Sequence, residues 1–157
     1  MIFEEIESLA AELPASGALA GIDLGTATIG VAVSDTRRRV ASPVETIRRR
    51  KPGKDISALM ATCASREVVG LILGLPLNMD GSEGPRCQAT RAFARNLAKS
   101  TELPVAFWDE RLSTVAAERA LLEADLSRKR RGQVIDHVAA SYILQGALDR
   151  ICHVRAT

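Results

Sequence analysis

Three features of this 157-residue chain predict an α/β fold, a mixed sheet flanked by helices in a single domain. Near the start, apolar residues alternate with small ones on both sides of a glycine turn, the period-2 mark of paired antiparallel strands. Further on, Val68, Val69, Leu71, Ile72 and Leu73 make an apolar run of the kind seen in parallel strands buried on both faces. After such runs, apolar residues recur at helical spacing. With 46% hydrophobic residues, the chain is long enough to bury one core without staples.

Taken in order, residues 1–18 read as an amphipathic accessory helix, with Ile2, Ile6, Leu9 and Ala10 on one face and Pro14 and Gly17 ending it. Leu19, Ile22 and Leu24 then lead to a Gly25-Thr26 turn, and Ile29, Val31 and Val33 return from it. A third strand over about 40–47 closes an antiparallel meander, where Pro43 signals an edge or a bulge. Ile56, Leu59, Met60 and Cys63 predict a helix over about 54–66. The apolar strand from Val68 ends in a loop rich in glycine and proline, followed by a helix over about 85–100 with Ala89, Ala92, Phe93 and Leu97 inside. Val105 to Trp108 form a fifth strand that runs into Asp109 and Glu110. Ser113 or Thr114 caps a helix containing Val115, Ala116, Leu121 and Leu122. Residues 124–133 are polar and basic and read as a mobile linker; a last helix covers about 134–150. The expected division is an accessory helix (1–18), one domain with a five-stranded sheet (19–150) and a tail (151–157).

The net charge of +2 is unevenly spread. Residues 1–18 hold Glu4, Glu5, Glu7 and Glu12 and no Lys or Arg, so the remainder is about +6. Its basic residues cluster at 37–39, 48–51 and 128–131, which suits a phosphate backbone, although each cluster alone also reads as a solvated loop. Cys63, Cys87 and Cys152 are odd in number and lack metal-ligand spacing, so they read as reduced thiols, with no zinc site. No signal-peptide pattern is present, and no apolar run approaches the ~20 residues of a membrane span. A soluble cytoplasmic protein without membrane association is expected.

Asp23 lies inside a strand pattern, where a carboxylate has low propensity and is costly to desolvate without a partner. Two readings stand: it bonds the turn amides of Gly25 and Thr26, or it holds a ligand. Glu110 follows the fifth strand and Asp136 opens the last helix. If the first and last strands are neighbours, Asp23 and Glu110 converge at one sheet edge, and a crossing helix brings Asp136 to them. Clustered carboxylates repel unless a cation compensates them. An oxygen-only set without His or Cys selects Mg²⁺ or Mn²⁺, and two such ions suit in-line phosphodiester hydrolysis. The plainer alternatives are that Asp136 complements a helix dipole and that Glu110 pairs with Arg111. Asp109 points to the opposite face of an extended chain and is left out of the set. His137 reads as a helix-surface residue, and Phe107 and Trp108 as core.

Four segments together carry a resemblance: Gly-Ile-Asp-Leu-Gly-Thr at 21–26 with Ile-Gly-Val-Ala at 29–32, Gly-Leu-Pro at 74–76 with Gly-Ser-Glu-Gly at 81–84, Asp-Glu-Arg-Leu-Ser-Thr at 109–114, and Ile-Asp-His-Val-Ala-Ala at 135–140. In this order, over about residues 19–148, the chain resembles the YqgF (RuvX) family of RNase H-like nucleases. The resemblance implies a ribonuclease H-like fold and metal-dependent endonucleolytic hydrolysis of structured RNA, in maturation of the 5′ end of precursor 16S ribosomal RNA. It also implies, by analogy with RuvC, a Holliday junction resolvase acting on branched DNA. The acidic positions fall on Asp23, Glu110 and Asp136, as catalytic residues and as ligands of Mg²⁺ or Mn²⁺. Nucleic-acid contacts fall on Thr26, on Asn78, Gly81 and Ser82 of a glycine loop acting through backbone amides, and on Arg86, Arg111, Arg128, Lys129, Arg130 and Arg131. Two positions depart from the family pattern: Ala27 stands where Lys or Arg is usual, and His137 where Lys is common.

The implied partners are precursor rRNA and ribosomal particles or branched DNA, for a monomer or homodimer. Two other classes are weighed against the nuclease. The Asp-Leu-Gly-Thr turn also resembles the phosphate loop of actin-like ATPases, but the chain lacks the second lobe that encloses a nucleotide. A non-catalytic RNA-binding or transcription-associated module on the same fold gains nothing from three carboxylates facing a phosphate backbone.

Overall fold

A computed structural model describes residues 1–112 and 128–156, and of 128–136 and 156 the backbone course alone. The elements are β1 (Ile2–Phe3), α1 (Ile6–Glu12), β2 (Ala18–Leu24), β3 (Thr28–Ser34), β4 (Ala41–Arg48), α2 (Pro52–Ser65), β5 (Val68–Leu75), α3 (Pro85–Ser100), β6 (Val105–Asp109), a 3-10 turn (Glu110–Leu112) and α4 (Arg128–Ala156). The expected helix after Ser113 or Thr114 lies outside the described residues.

The strands form one mixed sheet in the order β1-β6-β5-β2-β3-β4. β2, β3 and β4 are the antiparallel meander, and β5 runs parallel to both β2 and β6. Pro43 sits on the edge strand β4, next to a register shift opposite Val31 and Ala32.

Three expectations are corrected. The sheet has six strands, not five, because Ile2 and Phe3, expected within an accessory helix over 1–18, pair in parallel with Val105 and Ala106, and the helix covers only Ile6–Glu12. Two residues show no periodicity, so this cap on the β6 edge is invisible in a sequence pattern; it covers an edge that would otherwise present open backbone groups. The first and last long strands are not neighbours, since β5 lies between β2 and β6. Finally, α4 begins at Arg128 rather than about 134 and continues through Ala156, so most of the stretch read as tail is helical. Lys, Arg and Gln are good helix formers, and a helix already docked through its apolar stripe extends cheaply into them.

Each face of the sheet is covered. Ile22, Leu71, Leu73 and Phe107 pack under α2 and α3 through Leu59, Phe93 and Leu97. Leu19, Ile72, Ala106 and Trp108 pack under α1 and α4 through Leu9, Ile143, Leu144 and Leu148. The acidic N-terminal segment is tied to the body by ion pairs, Glu4 with Arg91 of α3 at 2.7 Å and Glu7 with Arg150 of α4 at 2.6 Å.

Two contacts with β4 set the direction of α4. Ala41 N, at the start of the strand, donates to Gln145 Oε1 at 2.9 Å, and Thr46 Oγ1 near its end shares a 2.8 Å hydrogen bond with His137 Nδ1. The helix therefore runs antiparallel to β4 and β2, with its N-terminal part at the carboxyl ends of β2 and β5. His137 is a tie between α4 and β4.

Candidate active site

Asp23 is the penultimate residue of β2 and is 4% exposed, buried inside the sheet. Its neighbours across the ladder are glycines. Gly30 of β3 pairs with it directly, and Gly74 of β5 follows the Ile22–Leu73 pair by one residue. On the far side, Gly74 pairs with Trp108, two residues before Glu110. The 3-10 turn then folds Glu110 back: a Cβ on Gly74 would lie 2.8 Å from Glu110 Oε1 and 2.5 Å from Ile143 Cδ1. The Glu110 carboxylate thus occupies the space that a side chain at 74 would fill. Asp23 and Glu110 come to one place not as strand neighbours but across a glycine in the strand between them. Sequence reasoning used Gly74 as part of a motif but gave it no role at the site; the signal for one was a glycine directly after a buried apolar run.

The helix brings a third position. Ala140 O and Leu144 Cβ lie 2.9 and 2.6 Å from where a Cβ on Gly21 would stand, so α4 rests almost on the β2 backbone. Position 136 precedes Ala140 by about one helical turn toward the carboxyl ends of the strands, the side on which Asp23 lies. The side chains of Asp136, Arg128, Lys129, Arg130 and Arg131 lie outside the described residues. Among the described residues no group of three or more His, Cys, Asp and Glu is disposed to hold a metal ion. The donor chemistry of Asp23 and Glu110 fits a hard divalent cation, since both supply oxygen only.

Basic groups stand near the end of β2 that carries Asp23. Arg86, in the first turn of α3, directs Nη2 at Leu24 O over 3.4 Å. Arg49 Nη1 donates to Gly25 O at 2.8 Å, and Arg49 N to Ala27 O at 2.9 Å. Two guanidiniums therefore flank the 25–27 turn, where Thr26 is exposed and Ala27 supplies no charge. Arg49 was visible in the sequence only as part of a basic loop. Its Nε lies 3.8 Å from buried Asp55, whose other oxygen accepts from Arg50 N at 2.8 Å.

The glycine loop is folded on itself. Asn78 N donates to Ser82 O, Gly81 N to Asn78 O, and Ser82 N to Asp80 Oδ1, at 3.0, 2.8 and 2.9 Å. Gly81 has φ +88°, which side chains rarely adopt. In this conformation the amides expected to meet nucleic acid are spent inside the loop, while the Asn78 and Ser82 side chains stay exposed. Arg111 is likewise engaged: it binds Asp109 Oδ2 through Nη2 at 2.7 Å and Met79 O through Nη1 at 3.3 Å, stapling the loop to the end of β6. Its guanidinium, hydrogen-bonded to Asp109, holds that carboxyl below its ordinary range. Arg91 fastens the other end of the loop through Glu83, at 2.6 and 2.9 Å.

The basic cluster at 37–39 is a correction of a different kind. It lies at the opposite end of the sheet, and Arg38 is not a solvated loop residue but 5% exposed, with Nε and Nη2 donating to Gly17 O and Pro14 O at 2.8 Å each.

Compared with known proteins, residues 17–150 match the family model described as "RuvX: Holliday junction resolvase". A Ruegeria pomeroyi protein named "Putative pre-16S rRNA nuclease" is 70% identical over 151 residues, 96% of this chain and 98% of that one. A Rhodobacter capsulatus protein of the same name is 67% identical over 154 residues, 98% and 97% of the two chains. Among solved structures, Thermus thermophilus RuvC in complex with a Holliday junction substrate superposes with a TM-score of 0.53 at 12% identity, covering 90% of this chain and 97% of that one. That likeness shows an RNase H-like fold. The match along nearly its whole length and the close relatives place this chain in the RuvX family.

Proposed function

We propose that this protein is a Mg²⁺- or Mn²⁺-dependent endonuclease that hydrolyses phosphodiester bonds of structured RNA, trimming the 5′ end of precursor 16S rRNA. The observation that carries the reading is the meeting of Asp23 and Glu110 over Gly74, at the carboxyl end of the parallel strands, where α/β sheets place their ligands. The name shared by relatives 67–70% identical supports the rRNA substrate.

In this reading Asp23, Glu110 and Asp136 would hold the divalent ions. When bound, such ions activate a water and stabilise the leaving oxygen of an in-line displacement, giving a 5′-phosphate and a 3′-hydroxyl. The chain's own residues do the rest. Burial keeps Asp23 fixed, and the glycines beside it let the reacting phosphate approach the sheet floor. Arg86 and Arg49 offset the charge of the incoming backbone at the 25–27 turn, with Thr26 exposed beside them. Asn78 and Ser82, exposed but hydrogen-bonded to each other, lie on a loop that Arg111 and Arg91 hold in place, and Arg128, Lys129, Arg130 and Arg131 at the start of α4 add positive charge. The reaction belongs in the cytoplasm, where precursor rRNA is found.

The test is cleavage of a precursor 16S fragment and of a four-way DNA junction in Mn²⁺, Mg²⁺ or EDTA, with wild type and Asp23→Asn side by side. Metal-dependent RNA cleavage that the substitution abolishes, with binding retained, is expected. Equal activity of the variant would overturn the site. Cleavage of the junction alone would favour the second reading, a resolvase, which the description of the family model supports.

A further inference from the structure

At the end of the sheet away from Asp23, a cavity of about 430 Å³ opens between the β3–β4 turn and the last turns of α4. Its charged lining is four arginines, Arg37, Arg38, Arg39 and Arg155, against one carboxylate, Asp149. Leu148 and Ile151 form part of its apolar wall. Asp149 is already used, accepting from Gln145 Nε2 at 3.0 Å. Arg37, Arg39 and Arg155 are exposed, and among the described residues none of the three enters an ion pair.

Arg38 lies beneath them. Its φ of +59° turns the side chain inward, where Nε and Nη2 are satisfied by backbone carbonyls and Nη1 is buried with no hydrogen-bond partner. A guanidinium does not deprotonate in a protein, so the charge stays, and a buried donor without an acceptor is costly. Four guanidiniums repel one another with no local counter-charge equal to them. Such an arrangement attracts an anion, and the planar forks of arginine suit phosphate oxygens.

We propose that this arginine cavity is a second phosphate-binding site, which grips the backbone of the nucleic-acid substrate at the opposite end of α4 from the cleavage centre. It rests on the proposed function only in taking the ligand to be a nucleic acid. The spacing suits it. From Asp23 back to Gly17, just before β2, whose carbonyl holds Arg38, the extended chain spans about 20 Å at ~3.3 Å per residue. That is about six phosphates along one strand at the spacing of a DNA duplex, and slightly more in the more compact A-form of RNA. A structured substrate lying along α4 meets both ends; a short one meets the carboxylates alone.

The experiment measures binding to a structured RNA as a function of salt, in an Asp23→Asn background that binds without cutting. Arg37→Ala, Arg39→Ala and Arg155→Ala are combined, and Arg38 is left in place to preserve the fold. A charge-matched control removes Arg66, Arg95 and Lys99, exposed residues of α2 and α3 or adjoining them on the opposite face. The arginine triple is expected to weaken binding on the order of 10-fold or more near 0.1 M salt and to reduce the slope of log K against log salt by about 2–3. The control changes both less, and the difference between the triples closes for a duplex shorter than about six base pairs beyond the cut. An unchanged slope in the arginine triple, or an equal loss in the control, overturns the site. Cleavage by the parent protein is scored separately. Metal-dependent cutting with an insensitive triple removes this site and leaves the nuclease standing, whereas a sensitive slope without any cutting does the reverse.

Discussion

Under α2 and α3, strands β2 and β5 present Ile22, Leu71 and Leu73, large side chains that hold the helices away; under α4 they present Gly21, Ile72 and Gly74. The first face is an ordinary aliphatic core, whose stability scales with the apolar area it removes from water. On the second, backbone meets backbone: α4 lies against Gly21, and Trp108 presses on Gly146 of the helix, its indole carbons and nitrogen within 2.9–3.0 Å of a Cβ placed there. The glycines lower the floor beneath α4, and the space left at the end of β5 is where Glu110 turns in beside the buried Asp23. One face is built for cohesion, the other for a close approach that makes room for carboxylates.

Paired substitutions at adjacent residues break this comparison most directly. Leu73→Ala, on the aliphatic face, is expected to cost about 2–5 kcal/mol of stability while the folded fraction keeps its cleavage. Gly74→Ala is expected to cost about 1–3 kcal/mol through overpacking against Ile143, and to strip cleavage from protein that remains folded, because Glu110 is displaced. Denaturant titration and single-turnover cleavage separate the two. If Gly74→Ala cuts as well as wild type, the glycine is a packing device and nothing more.

Smaller effects sharpen the contrast. Asp80, bonded by the Ser82 hydroxyl, and Glu83, bonded by Arg91, both ionise below their ordinary values of 3.8 and 4.5. A carboxyl depressed in the folded state contributes stability above its ordinary value and loses it as pH falls through the folded one. Hydrogen exchange in residues 77–84 is therefore expected to stay flat from pH 8 to 5, once corrected for intrinsic rates, and to quicken below about pH 4, ahead of the sheet. The cysteines give the mildest test. Cys63 and Cys87 are buried on the α2/α3 face, the first with its thiol pushed up to about 11 by desolvation, while Cys152 on α4 is exposed. Alkylation of the native protein near pH 8 is expected to mark Cys152 alone.

Much of this was legible from residue order. Alternation around Gly25 specified the meander, and the run from Val68 specified a strand buried on both faces, because both signals are local and periodic. A carboxylate inside an apolar strand singled out Asp23 by its cost alone. What escaped was non-local or aperiodic: the two-residue β1, the early start of α4, and the insertion of β5 between the strands leading to Asp23 and Glu110. Arg38 shows the limit most clearly. Read in order it is one of three like neighbours, yet its φ and two backbone carbonyls place it inside while Arg37 and Arg39 stay outside.

By itself, then, the sequence determined the long strands and most of the helices, the one carboxylate out of place inside a strand, and the family through four motifs in register. Only the tertiary structure decided which groups share a space. It set Glu110 over Gly74, spent the Asn78, Gly81 and Ser82 amides and Arg111 inside the loop, and brought Arg155 to arginines more than a hundred residues earlier. The physical reason is range. Periodicity reports how a residue meets the nearest core, whereas a site depends on contacts between distant segments, which chain packing alone selects.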